Sequence, residues 1–312
     1  MVLHRRPDGG GPHRCAADPD RRLRHVGPGH QDLEPSHPLI ATEAAVIEPV
    51  WEFPLRIPRH AFSARDAARA GDVWRCFQEA AVEASTLAGW PPVRYRQEGA
   101  AFIVRTMTVC HHREAEYGER TRARTWVSRF RREMFSTRQL RLLGESGLVA
   151  AATQEWVFVS AELAPMRAGR GLLDAFPVHV EDPSVEMPGF EAIDGPTRRF
   201  SFDVWFTGMD PLDHVNHPAY LDFCDEAISR HMATAGLSPV ALRPVAETLT
   251  FRAGAVALDQ VTVETTPIGH TAEGFLVCKH RVMRGETVCA DGRTVRTLAG
   301  ADPRALVDAF LA

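Results

Sequence analysis

The chain has 312 residues, 45% of them hydrophobic and 24% charged, with a formal net charge of −4 from 36 basic and 40 acidic side chains. That composition supports a globular chain with a substantial core, and at ~100–200 residues per domain it allows two domains. No stretch approaches the ~18–20 consecutive apolar residues of a spanning helix, and no N-terminal apolar run resembles a signal core, so no membrane partner is expected. Nor is nucleic acid, because a near-neutral chain lacks the basic field that releases counterions from phosphates. Of the basic residues only Lys279 is lysine, a skew that reads as the codon usage of a GC-rich genome rather than as an arginine-rich binding module.

Six cysteines (Cys15, Cys76, Cys110, Cys224, Cys278 and Cys289) are scattered without a C-x-x-C pair or metal-type spacing to histidine. Free thiols, a reducing cytoplasm, no structural metal and no cofactor are the expectations.

Residues 1–45 are rich in Gly, Pro, Arg and His with few apolar positions and read as a disordered tail. Regular patterning begins near Phe53. A helical stretch from Val73 to Ala88 ends in Ala88-Gly89, and a second from Pro218 to Ala235 ends in Ala235-Gly236; each has one apolar face and a glycine where a left-handed C-cap is wanted. Placing Gly89 on Gly236, an offset of 147, also superposes Glu79-Ala80 on Glu226-Ala227. Alternating runs follow each helix: Phe102–Thr108, Thr121–Ser128, Arg138–Leu143 and Ala152–Ser160, then Ala246–Phe251, Val261–Pro267, Glu273–Met283 and Thr287–Leu298. The repeat therefore divides the chain into a first half over 53–168, a Pro- and Gly-rich linker over 169–197, a second half over 198–300 and a tail or short helix over 301–312.

Each half reads as a strand, a long helix and three or four antiparallel strands. A helix with one broad apolar face, rich in alanine, suits a curved sheet wrapped around it. The expected fold is α+β, a tandem (double) hotdog; the competing reading is two unrelated α+β domains.

The strand Phe200–Phe206 and the second helix flank the segment Asp210-Pro-Leu-Asp213-His214-Val-Asn216-His217-Pro-Ala-Tyr220. Two carboxylates, two histidines, an amide and a tyrosine meet there beside a helix N-terminus with free N–H donors. Asp210 can act as nucleophile or as general base on water, His214 and Asn216 can orient the acid or the water, and backbone N–H groups can hold an oxygen that gains charge. The bland alternative is that Asp213 or Asn216 caps the helix. At the offset of 147, Ser63, Ala67 and Arg69 stand opposite Asp210, His214 and Asn216. None of the three replaces its counterpart chemically, so one half is expected to be catalytic and the other to shape a substrate channel.

The segment resembles the D-x-x-x-H-V-N-x-x-x-Y signature of hotdog thioesterases of the 4-hydroxybenzoyl-CoA thioesterase type. The doubled arrangement, with a degenerate first copy around Gln78-Glu79-Ala80 and a Thr125-Trp126-Val127 strand, is similar to the acyl-ACP thioesterases. The resemblance spans roughly residues 55 to 300. It implies hydrolysis of acyl thioesters, with Asp210 and His214 in the catalytic positions, Asn216 beside them, and His217, Tyr220, Trp126 and Arg131 toward substrate. Two departures stand out: Leu212 replaces the family's asparagine, and Phe251-Arg252-Ala253-Gly254 replaces a stretch that ends in an acid. Glu247, nearby, reads as an outward-facing strand acid.

Arg129, Arg131, Arg132 and Arg138 cluster around the Trp126 strand and suit an acidic acyl carrier protein or the phosphates of coenzyme A, against the alternative of a solvated strand edge. A serine nucleophile is excluded, since no G-x-S-x-G occurs. The alternatives are a hotdog hydratase or dehydratase, disfavoured by the spacing around Asp210, and a non-catalytic acyl-thioester-binding protein. A duplicated unit pairs with itself internally, so a monomer and a homodimer are both compatible with the sequence.

Overall fold

A computed structural model describes residues 49–180 and 184–312; the tail expected over 1–45 lies outside the described residues. The first half begins with β1 (Val50–Pro54), α1 (Ala70–Leu87) and a short α2 (Pro92–Gln97), which the sequence did not signal, and continues with β2 (Ala100–His111), β3 (Arg122–Arg131), β4 (Phe135–Gly144) and β5 (Gly147–Ser160). The connecting stretch carries α3 (Arg170–Asp174) and β6 (Glu191–Ala192). The second half has β7 (Arg198–Asp203), α4 (His217–Thr234), β8 (Leu242–Phe251), β9 (Gln260–His270), β10 (Leu276–Arg284), β11 (Thr287–Leu298) and α5 (Ala305–Leu311). No helix among the described residues is long and apolar enough to cross a membrane.

The repeat is visible in the backbone. Both long helices stop at a left-handed glycine, Gly89 (φ 79°) and Gly236 (φ 76°). The residue after each glycine closes the cap, with Trp90 N–H donating to Ser85 O and Leu237 N–H to Met232 O, both at 2.8 Å. The strands join one sheet in the order β1-β3-β4-β5-β2-β8-β11-β10-β9-β6, with β7 also on β9. That order reads the same from either end, each half curling around its own helix, which is the tandem hotdog expected. Its seam is the antiparallel pairing of β2 with β8, from Thr106 opposite Thr250 to Cys110 opposite Ala246.

The two helices pack against each other inside the joined sheet. Trp74, Phe77, Ala80 and Ala81 of α1 share a buried cluster with Tyr220, Leu221 and Cys224 of α4, and each large side chain so buried contributes about 1.5–3 kcal/mol. Arg75 and Asp222, equivalent positions of the two copies, form an ion pair with one another. The helices approach so closely there that a Cβ on Gly71 would fall 1.9 Å from Asp222 Oδ1. In the linker, Leu172 and Phe176 are buried under the first half, while Leu306, Val307 and Phe310 of α5 pack on Ile228 and Met232 of the second.

Glu247 does not face outward, as its strand position suggested. It is fully buried at the seam, where it accepts from His111 Nε2 (2.6 Å), Arg296 Nη1 (2.7 Å) and Trp74 Nε1 (3.0 Å). Arg296 also reaches Asp225 of α4 at 2.8 and 3.2 Å. Burial alone would raise the Glu247 pKa, but His111 and Arg296 outweigh it and hold the carboxyl well below the usual range. Strand alternation is a poor guide here because β8 lies mid-sheet, with the helices on one face and the linker residues Met187 and Phe190 on the other.

Arg296→Met strands the buried Glu247 and the half-buried Asp225 and is expected to cost about 3–5 kcal/mol. The triple replacement of Arg296, Glu247 and Asp225 by apolar residues should cost less than that single change. Urea denaturation of both variants checks the order.

Candidate active site

The loop before α4 is a tight reversal clamped by a bridge between Met209 and Val215, and the same bridge joins Phe62 and Ala68 before α1. Asp210 N–H donates to His214 O, and Ser63 N–H to Ala67 O. Asp213 (φ 63°) and Asp66 (φ 56°) both adopt the left-handed conformation that closes the turn. The offset of 147 thus continues without a gap through the loop, and the two loops differ in side chains rather than in path.

Asp210 Oδ1 accepts from Leu212 N–H at 2.8 Å and lies 3.4 Å from His214 Nδ1. In the first copy the smaller Ser63 Oγ takes the same turn bond from Arg65 N–H, with Ala67 in the place of the histidine. Oδ2 of Asp210 has no hydrogen-bond partner among the described residues and remains available to a water or a carbonyl carbon. Burial opposes ionisation of Asp210, but the contacts from His214 and Leu212 prevail and its pKa is lowered. The hydrogen bond to Asp210 exceeds the effect of burial at His214 and raises its pKa. Behind His214 lies Gly254, where the family resemblance implied an acid: a Cβ there would sit 3.1 Å from His214 Cβ. The missing side chain therefore leaves room for the imidazole.

Asn216 occupies the N-cap position of α4, yet its side chain makes no capping bond. Its amide instead exchanges two hydrogen bonds with Gln78 of α1, at 2.9 and 3.0 Å, tying the Asp210 loop of the second half to the helix of the first. His217 opens α4, and as its first residue presents a backbone N–H with no acceptor inside the helix. Its imidazole lies buried between the rings of Trp74 and Phe251, and burial pushes its pKa down to about 3. Tyr220 is also buried, its hydroxyl accepting from Ala255 N–H at 3.0 Å.

A cavity of about 250 Å³ opens beside Asp210 and is lined by Gln78, Pro211 and Leu212 near the loop and, beyond them, by first-half residues including Ser85, Trp90 and Phe102. Neither the His217 nor the Tyr220 ring forms part of its wall. Small residues of α1 make the cavity possible: Ala81 and Ser85 stand where α4 has Ile228 and Met232, and α5 fills the second half further. The equivalent place beside Ser63 is a charged hollow of about 500 Å³ walled by Arg65, Arg69, Asp72, Asp225 and Arg296. The two copies thus present one largely apolar cavity and one ionic one.

Trp126 is fully buried but does not line the cavity; its neighbour Val127 does. The indole sits on the opposite face of β3, edge-on to His179 and with Arg124 and Arg141 over it. Arg131 lies with Arg129, Thr137 and Glu155 around a separate hollow, its guanidinium 4.7 Å from the Phe135 ring centroid. Arg138 parts company with that cluster. It points inward and is only 6% exposed, a wall of the cavity rather than a surface for a carrier.

The Arg138 Nη1 donates to Thr125 Oγ1 at 3.3 Å, and its guanidinium lies 5.9 and 5.6 Å from the rings of Trp51 and Phe176. No carboxylate pairs with it among the described residues. Ring faces at that range supply about 0.5–2 kcal/mol, against several kcal/mol for withdrawing an ion from water. Burial accordingly pushes its pKa down to about 10. The sequence pattern groups Arg138 with the surface arginines and does not single out Gln78 as a site residue. Arg138 faces inward because the β3–β4 register pairs it with inward Val127, which no local pattern marks, and nothing local marks Gln78 either.

No protein-family model and no curated protein sequence matches the chain. Solved structures do. A protein described as an oleoyl thioesterase from Lactobacillus plantarum aligns with a TM-score of 0.69 at 16% identity over 81% of this chain and 97% of that one. The 12:0-ACP thioesterase from Umbellularia californica aligns at 0.67 and 15%, over 81% and 96%. An acyl-ACP thioesterase from Bacteroides thetaiotaomicron aligns at 0.63 and 12%, over 80% and 98%. The chain has the double-hotdog fold of these thioesterases. At such identities the likeness establishes the fold, and the chemistry rests on the residues around Asp210.

The raised pKa of His214 gives a pH test. Its folded value lies above the ordinary 6.5, so the stability it contributes is fully present below 6.5 and fades as pH rises through the folded value. An NMR titration should find the His214 midpoint above 6.5 in the native protein, and at or below it in Asp210→Asn.

Proposed function

We propose that the protein hydrolyses acyl thioesters, releasing a free acid and the thiol of coenzyme A or of an acyl carrier protein. The observation that carries this reading is an ionised carboxylate, Asp210, with one oxygen fixed by Leu212 and His214 and the other uncommitted, at the wall of a cavity lined largely by apolar side chains. A thioester carbonyl seated there meets the Asp210 oxygen on one side. The backbone N–H of His217 at the start of α4 is a candidate donor for the carbonyl oxygen as it gains charge. Asp210 acts either on a water, as general base, or on the carbonyl carbon directly, with water then resolving the acyl-enzyme anhydride. His214 supports the ionised form of Asp210, and Gln78 through Asn216 fixes the distance between loop and cavity.

The acyl group is assigned to the first-half cavity and the carrier to the outside. The thioesterases that share the fold support the reaction class, and two of them are named for acyl-ACP substrates.

Thiol release measured across matched acyl-CoA and acyl-ACP panels tests the proposal and separates the carriers. Asp210→Asn is expected to lower kcat by about 10²–10⁴-fold; undiminished turnover would remove Asp210 from its role. Hydration of an enoyl thioester without thiol release would identify a hydratase instead, and intact thioester recovered after long incubation a binding protein.

A further inference from the structure

An acyl cavity with no polar function needs no cation in its wall, and this one has Arg138. The guanidinium is buried, holds one hydroxyl at 3.3 Å, and has no carboxylate partner among the described residues. Its position relative to Asp210 follows from α1. Gln78, joined through Asn216 to the catalytic loop, and Ser85 both face the cavity; seven residues of helix place them on the order of 10 Å apart. Ser85 Oγ lies 3.0 Å from the Tyr95 hydroxyl; Tyr95 lies within the field of Arg138, both line the cavity, and the Trp51 and Phe176 rings beside Arg138 cluster with Ala84 and Trp90 at the far end of α1. The order of groups from the loop inward is therefore carboxylate, apolar wall, then a cluster of hydroxyls and one buried cation, Arg138; Arg96, which also lines the cavity, is exposed to solvent.

We propose that Arg138 binds a carboxylate at the distal end of the acyl chain, so that the preferred substrates are thioesters of dicarboxylic acids. This rests on the thioester-hydrolase reading of Asp210. A guanidinium offers a planar fork of donors suited to two carboxylate oxygens, and the incoming anion supplies the charge that the wall lacks. Trp51 and Phe176 hold the cation in place by their ring faces. At ~1.2 Å per bond of an extended chain, the span from the Asp210 end to Arg138 corresponds to an acyl group of about eight carbons. Unsubstituted chains of that length would leave the cation buried against methyl groups, and a hydroxyl or keto group would satisfy one donor without neutralising it.

Equilibrium binding of free α,ω-dicarboxylates and of monocarboxylates of equal length, from about four to twelve carbons, reads the cavity without requiring hydrolysis. In the native protein the dicarboxylate near eight carbons is expected to bind about 10- to 100-fold more tightly than its monocarboxylate match. Arg138→Gln should collapse that ratio toward one, and Arg138→Lys should retain part of it. Where thioesters are turned over, the ratio of kcat/KM for ω-carboxyacyl over plain acyl substrates should fall in Arg138→Gln by a similar factor. Equal binding of the two acids by the native protein overturns the proposal, whether or not either variant folds. A dicarboxylate preference that survives in folded Arg138→Gln overturns it too. A preference for ω-hydroxy over ω-carboxy compounds likewise overturns it. Dicarboxylate binding that depends on Arg138, in a protein that cleaves no thioester, would leave this assignment standing and remove the hydrolase reading alone.

Discussion

The guanidinium of Arg296 sits where the two copies of the fold meet, and the joined sheet depends on its being satisfied. It reaches from β11 to Glu247 on β8 and to Asp225 on α4, while Glu247 also takes bonds from His111 on β2 and Trp74 on α1. Two strands that pair across the seam, both long helices and a neighbouring strand are therefore tied to one buried ionic cluster. Burying these charges separately would be prohibitive, and burying them together is tolerable only in one geometry. The β2–β8 register is thereby fixed by more than its ladder: a slip of one residue would put His111 of β2 on the opposite face of the sheet from Glu247.

Near-symmetry of the backbone makes the asymmetry of the side chains informative. Both copies build the same reversal before the helix, with the same bridge and the same left-handed aspartate. In one, the turn bond is accepted by a carboxylate with a spare oxygen; in the other it is accepted by a serine hydroxyl. On the facing helices, Gln78 takes the amide of Asn216, whereas its counterpart Asp225 is consumed by Arg296. The second copy thus carries the candidate acid on its loop, and the first supplies the cavity. One half can be carved out because the other is filled: Ala81 and Ser85 line the space that Ile228, Met232 and α5 occupy in the second half.

A cavity assembled in this way separates two roles that a single hotdog must combine. The candidate carboxylate, Asp210, sits on a loop braced by its own turn bonds rather than by the side chains that fill the cavity. Depth and polarity are set by α1, β3 and β4 of the other half, where a change such as Arg138 alters the interior without touching the loop. The exposed arginines of β3 serve neither role, since Arg129 and Arg131 face away from the cavity wall that Phe130 and Ser136 form.

Much of this was legible in the chain itself. The helices, their glycine stops, most strands and the offset of 147 are local or periodic signals, and the loop around Asp210 carries its own turn chemistry, so residues close in sequence determined both the repeat and the candidate acid. Tertiary structure alone decided which groups met them. Gln78 reaches Asn216 across 138 positions, Glu247 turns inward because its strand becomes the centre of a joined sheet, and Asn216 gives up its cap for an amide partner. Arg138 parted from Arg129 and Arg131 because a bulge between Val127 and Arg129 resets which side chains face the helix. Face assignment depends on register against partner strands, and that register is settled only when the whole sheet closes around its helices.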